Sequence, residues 1–200
     1  MLEEKILDAK TEETTIRETV FLSELVDQAD ISKVEFEGIQ FQKCRFIACD
    51  FTGASFVDCS FDGCDFSNCT FMDSYWKGTN IKDCKADGSK FGRSNFKETI
   101  IENSNFNYTN CVNTLWQNCV ITNCDFKESF LSEVKFKKIQ LDTVNFTSSD
   151  FFKTPLKGVD FSNCNIDSIM VSDKYTELYG VKINMFQAVE IAKLLGVKVI

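Results

Sequence analysis

Apolar residues return at every fifth position along most of this chain. In the stretch FTGASFVDCSFDGCDFSNCTF, Phe51, Phe56, Phe61, Phe66 and Phe71 mark the period. Five is neither the two of a strand nor the 3.6 of a helix, so the backbone must bend at fixed intervals. Stepped in fives from Ile16, the series reaches Val171 through 32 consecutive positions without a polar residue, and it collects 17 of the 20 phenylalanines. Thr176 breaks it. Internal repetition therefore governs the whole reading of the fold.

The residue two places before each centre is restricted as well, as in Cys49, Ala54, Cys59, Cys64, Cys69, Ser74 and Thr79. Alternation in a short extended piece puts it on the same inner side as the centre. The next residues must turn a corner, and Gly38, Gly53, Gly63, Gly78, Gly88 and Gly158 all lie two after a centre, where a turn requires positive φ. A longer period sets the number of sides. Cys44, Cys64, Cys84, Cys124 and Cys164 fall on multiples of twenty, and Ile81, Ile101 and Ile121 stack at the same step. Four sides of five residues make a turn, which predicts an all-β solenoid, a square coil of about seven to eight turns rising ~4.8 Å each. Its core is a large centre, such as Phe51 to Phe71, beside a small partner. Cysteine suits the second role as a small, readily buried hydrophobe.

Both ends of such a coil need caps, because an open ladder exposes donors and acceptors. The acidic residues 1–15 are weakly patterned and fit a short helix, a cap strand or a mobile segment. The repeat occupies 16–172, and 173–200 has a different texture. There Asn184 with Gln187 forms a capping-box pattern ahead of a helix over Met185–Leu195, Gly196 suits its C-terminal stop, and Val197–Ile200 suits a short strand. Met185, Phe186, Val189, Leu194, Leu195 and Val197 exceed what covering one coil needs, which points to a dimer interface at this end.

Composition narrows the chemistry. There is no histidine, so a Ser-His-Asp triad, a Cys-His pair and a His-ligated zinc site are excluded. The ten cysteines are spaced in fives rather than as C-x-x-C, which argues for packing over metal binding or disulfides. No phosphate-binding or hydrolase motif occurs, and a regular rod offers no pocket, so neither catalysis nor a cofactor is expected. The net charge of −8 argues against direct nucleic-acid binding. No apolar run is long enough for a membrane span, and the first ten residues lack a secretory core, so a cytoplasmic location is expected. Residues 1–30 hold nine acids and three bases, while 31–172 hold 18 acids and 15 bases.

Sorting outward positions by side brings Asp62, Asp83, Glu102, Asp142 and Asp160 onto one side, relieved by Lys43 and Lys82. That acidic side is the candidate partner surface. The preceding side carries Lys77, Lys97, Lys137 and Lys157. Four apolar residues at outward positions, Val112, Phe130, Phe152 and Met170, fall together on another side and suggest a contact.

The unbroken repeat resembles the pentapeptide-repeat family, whose members are right-handed quadrilateral β-helices. The ending GVKINMFQAVEIAKLLGVKVI resembles the tail of its quinolone-resistance (Qnr-type) branch at Gly180, Val181, Lys182, Ile183, Gln187, Ala188, Leu195, Gly196 and Val197. The run DCKADGSKFGRSNF, Asp83–Phe96, is similar to the equivalent coil of Gram-positive members. That resemblance implies a homodimer joined through its C-terminal ends that binds DNA gyrase or topoisomerase IV and protects it from quinolones as a partial DNA mimic. The repeat keeps phase from Ile16 to Val171, so this chain matches the loopless members. Two other readings use the same coil: a non-enzymatic scaffold with an unrelated protein partner, and an immunity factor against another topoisomerase poison.

Overall fold

The structure, a computed structural model, describes residues 1–199. It is a right-handed, four-sided β-solenoid closed by a helix at each end. The first side carries seven parallel strands: Ile16–Arg17, Glu35–Glu37, Ser55–Val57, Tyr75–Lys77, Asn95–Lys97, Leu115–Gln117 and Lys135–Lys137. The second also carries seven, from Val20–Leu22 through Ser60–Asp62, Asn80–Lys82 and Ile100–Glu102 to Gln140–Asp142. The third side keeps one parallel pair, Leu25–Asp27 with Arg45–Ile47, and otherwise the third and fourth sides are joined by isolated bridges such as Asp65↔Lys85 and Thr70↔Lys90. Register is one coil per twenty residues: Phe56 lies opposite Trp76, and Ile81 lies opposite Ile101.

The core is the stack of centres. Phe51, Phe56, Phe61, Phe66 and Phe71 are all buried, and Phe71 lies between Phe51 and Phe91 with ring centroids 4.5 and 5.0 Å away. Neighbouring sides meet edge to face, as Phe66 meets Phe71 at 75°, a geometry that suits the ring quadrupole. The small residue beside each centre is buried too and satisfies itself against backbone: Ser89 Oγ donates to the Phe66 carbonyl at 2.7 Å. Both tryptophans follow a hydroxyl residue by two places. Trp76 Nε1 donates to Ser74 Oγ at 2.8 Å and Trp116 Nε1 to Thr114 Oγ1 at 2.9 Å. A buried indole N–H needs an acceptor that a phenylalanine does not.

Every residue two after a centre, from Glu18 to Lys153, has positive φ. The glycines at these corners thus occupy the conformation expected of them, but most corners are not glycine. Their N–H groups bond the next coil, as Asp58 N–H donates to the Lys77 carbonyl at 2.8 Å. That repeated bond offsets the roughly 1 kcal/mol cost of the left-handed region.

The ladder stops on the first and second sides after Lys135–Lys137 and Gln140–Asp142. From Ser55 to Lys135 the residue before each first-side centre donates its N–H to the preceding coil, as Lys135 does to the Thr114 carbonyl. Pro155 holds that place one coil later and has no N–H to give. Where the ladder stops, Phe136, Ile139 and Leu141 are only partly buried. The last coil is also offset. Phe46 N–H bonds the carbonyl of residue 65, but Phe161 N–H bonds that of Lys182, two residues further along than the repeat requires. Glu177, in the 3-10 turn Thr176–Leu178, fills part of this offset: its carboxylate accepts from Lys153 N–H at 2.7 Å and Ser172 Oγ at 2.8 Å.

Helix α1, Leu2–Glu12, settles the N-terminal segment as a helical cap, with Leu2, Ile6 and Ala9 buried against the first coil. Helix α2, Met185–Leu194, starts at the expected capping box and stops before Gly196, whose φ is +76°. The strand expected over Val197–Ile200 is absent at 197–199, and Ile200 lies outside the described residues. Val197 N–H instead folds back to the Ala192 carbonyl at 2.9 Å and closes the helix end.

Candidate interaction surfaces

The second side places the five sequence-selected carboxylates in the open. Asp62, Asp83, Glu102, Asp142 and Asp160 are all exposed there, but they do not form a continuous acidic row. Across the ladder Asp62 faces Lys82, Lys82 faces Glu102, Glu102 faces Thr122 and Thr122 faces Asp142. The acids in this column are thus two coils apart, roughly 10 Å. Asp142 Oδ1 accepts from Asn163 Nδ2 at 3.0 Å. The Ser162 side chain and backbone N–H hold the Asp160 carboxyl below its ordinary value.

The C-terminal end is the most apolar exposed region. Gln187 is the one buried residue of α2; its Nε2 donates to the Phe161 and Cys164 carbonyls, while Asn184 Nδ2 donates to the Ser162 carbonyl. Clamped there, α2 turns Met185 and Phe186 outward at 78% and 79% exposure, with Leu195 and Val197 also exposed. Val189 is half-buried, and Leu194 packs partly on the core with Ile191, so Leu194 is in part a cap residue. Tyr179, 78% exposed, joins this surface and was not singled out from the sequence. It follows the slipped turn, where no five-residue phase marks which residues face outward. Beside it, Tyr175, Leu178, Ile191 and Leu195 line an open apolar depression of about 590 Å³.

The fourth side gathers the outward apolar residues. Phe130, Phe152 and Met170 are exposed, and Val112 is half-buried. A second group, Val20, Leu22 and Leu25, lies exposed at the other end of the rod. The five-residue phase marks all three as outward positions, so the signal for them was present in the sequence.

All ten cysteines are free and buried. Burial pushes the Cys59, Cys124 and Cys164 thiols up to about 11 and Cys111 up to about 12, which holds these four away from the thiolate, whereas hydrogen bonding with Cys69 lowers the buried Cys49 thiol. Among the described residues no group of three or more His, Cys, Asp or Glu side chains could hold a metal ion. Among the described residues no helix is long and apolar enough to cross a membrane.

This architecture agrees with what the sequence matches. The profile of the pentapeptide repeat region covers residues 25–96, and that of pentapeptide repeats (8 copies) covers 100–137. The chain belongs to the pentapeptide-repeat family. Among solved structures it is similar to a trypsin-treated variant of QnrB1, a plasmid-mediated fluoroquinolone resistance protein. Identity there is 20%, coverage is 92% of this chain and 100% of that chain, and the TM-score is 0.54. HetL of Nostoc sp. strain PCC 7120, involved in heterocyst differentiation regulation, aligns at 7% identity over 90% of this chain and 91% of its own, with a TM-score of 0.41. Rfr23 of Cyanothece 51142 aligns at 14% identity over 70% and 95%, with a TM-score of 0.40. At such identities the likeness is one of fold. Curated protein sequences yield no match.

Proposed function

We propose that this rod binds a type II topoisomerase, DNA gyrase or topoisomerase IV, and protects it from quinolones. In this reading it acts as a cytoplasmic homodimer joined through its C-terminal ends, does no chemistry, and competes with DNA rather than binding it. The supporting observation is the C-terminal cap. The residues that carry the Qnr-type resemblance are those that build it: Gln187 anchors α2 to the last coil, and Gly196 ends the helix. The result is a rigid end with Met185, Phe186 and Tyr179 free to meet a second copy.

The second side is the surface assigned to the enzyme. Because Lys82 interrupts its acids, mimicry of DNA here rests on the rod's shape and on local carboxylates rather than on an unbroken negative row. That same interruption favours the second reading, a scaffold whose partner is not a topoisomerase. A binding titration separates them. Immobilised gyrase should capture the protein, added duplex DNA should displace it, and Asp62→Lys with Glu102→Lys and Asp142→Lys should weaken capture. Failure to bind either topoisomerase would leave the scaffold reading.

A further inference from the structure

The N-terminal end of the solenoid is met by side chains on two sides and open on the other two. In the second coil the residues flanking each centre bond the coil before. On the second side Gln40 N–H donates to the Thr19 carbonyl at 3.0 Å, and the Gln42 carbonyl accepts from Ser23 N–H at 2.8 Å. On the third, Arg45 N–H donates to the Glu24 carbonyl and the Ile47 carbonyl accepts from Gln28 N–H, both at 2.8 Å. Val20, Leu22, Leu25 and Asp27 hold those places in the first coil, where no coil precedes them. On the fourth and first sides a side chain steps in: Lys10 Nζ donates to the Asp30 carbonyl at 3.1 Å, and Thr19 Oγ1 to the Arg17 carbonyl at 2.8 Å. Among the described residues no hydrogen bond reaches Val20 N–H, the Leu22 carbonyl, Leu25 N–H or the Asp27 carbonyl.

Natural proteins blunt an unpaired strand edge with charge, and this one carries Val20, Leu22 and Leu25, each more than half exposed. The charge lies at the corners: exposed Glu18 precedes the strand Val20–Leu22, and Glu24 follows it. Glu24 is half-buried at the place where later coils carry buried Cys44, Cys64 and Cys84. Among the described residues it enters no ion pair. Residues 1–30 hold nine acids and three bases, and two of those bases are already paired, Lys10 with Asp30 and Arg17 with Glu37. The nearest other bases, Lys43 and Arg45, belong to the second coil. We propose that the edge Val20–Leu22 receives an extended segment of another protein by strand addition, a segment with apolar residues at alternate positions and lysine or arginine at its ends.

The backbone sets the form of this partner. Val20 N–H needs an acceptor and the Leu22 carbonyl a donor at strand spacing, which a main chain laid along the edge supplies. Alternate side chains of that segment fall beside Val20 and Leu22, and its basic ends fall beside Glu18 and Glu24. A second rod does not fit. Helix α1, about 10 Å across, sits on the core through Leu2, Ile6 and Ala9, where a stacked coil would have to lie ~4.8 Å away. A single strand needs only the rim. The site lies at the opposite end from α2 and does not rest on the topoisomerase reading.

Fluorescence anisotropy on the full chain tests this with a labelled, end-capped peptide of alternating valine and threonine flanked by lysines. The peptide should bind saturably. Hydrogen exchange at the Val20 amide should slow on binding, because that N–H has no partner in the free chain. Val20→Lys with Leu22→Lys should weaken binding ~tenfold or more, as should replacing the peptide's lysines by glutamates or N-methylating its backbone. Circular dichroism confirms that the variant keeps the fold. Absence of binding, a Val20 amide that exchanges as before, or binding indifferent to the N-methylated backbone or to Val20→Lys with Leu22→Lys would each overturn the proposal. So would sedimentation showing that this double variant separates copies of the chain from one another, since the edge would then hold a second rod.

Discussion

Gln187 Nε2 donates to two carbonyls of the final coil, Phe161 O and Cys164 O, both at 2.6 Å. With Asn184 Nδ2 on the Ser162 carbonyl, this amide ties the C-terminal helix to the solenoid. Its own Oε1 accepts from Asn184 N–H at 2.8 Å, so helix start and coil end share one side chain. Gln187→Leu keeps the volume but leaves buried polar groups without partners, at a cost of about 1–3 kcal/mol. Amide exchange in Met185–Leu195 should accelerate while the strands from Glu35 to Thr122 stay protected. Unchanged exchange in the helix would show that the clamp is not what holds it.

The core ladder should be the least tolerant part of the molecule. Phe71 is stacked on both sides and fully enclosed. Phe71→Ala should cost about 3–5 kcal/mol by lost burial and the cavity left behind. Phe66→Asp should prevent folding by burying an unpaired charge. Chemical denaturation measures the first, and expression with circular dichroism the second.

The indole acceptors give a sharper test. Thr114→Val leaves Trp116 N–H buried without a partner, whereas Thr114→Val with Trp116→Phe removes donor and acceptor together. The double variant should therefore lose less stability than the sum of the single changes, with a coupling of about 1 kcal/mol. Additive losses would mean that the bond contributes nothing.

Acid should loosen the N-terminal cap first. Lys10 and Ser32 hydrogen-bond Asp30, which lowers its carboxyl from 3.8 to about 2 in the folded chain. A depressed carboxylate contributes stability that is fully present above its unfolded value and is lost as pH falls through the folded one. The contact between α1 and the first coil should thus weaken between about pH 4 and 2, a window that Asp30→Asn should abolish. Exchange or fluorescence probes placed on α1 would report it.

At the other end, Met185→Asp with Phe186→Asp should yield monomers without loss of thermal stability, because neither side chain touches the core. Leu194→Asp should lower stability as well, because Leu194 packs partly on the core. Light scattering alongside melting separates interface from cap. A wild-type protein that is already monomeric would remove the C-terminal dimer.

The centres were legible because one large apolar residue per side is a strict steric demand, and a period of five has no competing explanation. The corners were only partly legible. Glycine marked some of them, but Asp58, Asn68 and Lys43 adopt the same positive φ because each N–H finds a carbonyl in the adjacent coil. The last coil was hidden for a different reason. A two-residue offset puts Leu178 and Ile183 against the core beside the in-phase Val181, and Thr176 simply reads as the end of the pattern. The break at Pro155 was equally silent, since Leu156 keeps the apolar phase while the proline beside it removes a ladder bond. On the candidate surfaces, sequence sorting found the acidic side. The alternation with Lys82 becomes decisive only when the coils are stacked in register.

The most direct test of the proposed role is gyrase supercoiling in the presence of ciprofloxacin, with purified protein titrated from substoichiometric amounts upward. Protection requires that supercoiling recover at protein concentrations too low to inhibit the enzyme alone, and that the Gln187→Leu variant recover less. Inhibition without recovery, or no effect on either gyrase or topoisomerase IV, would contradict it.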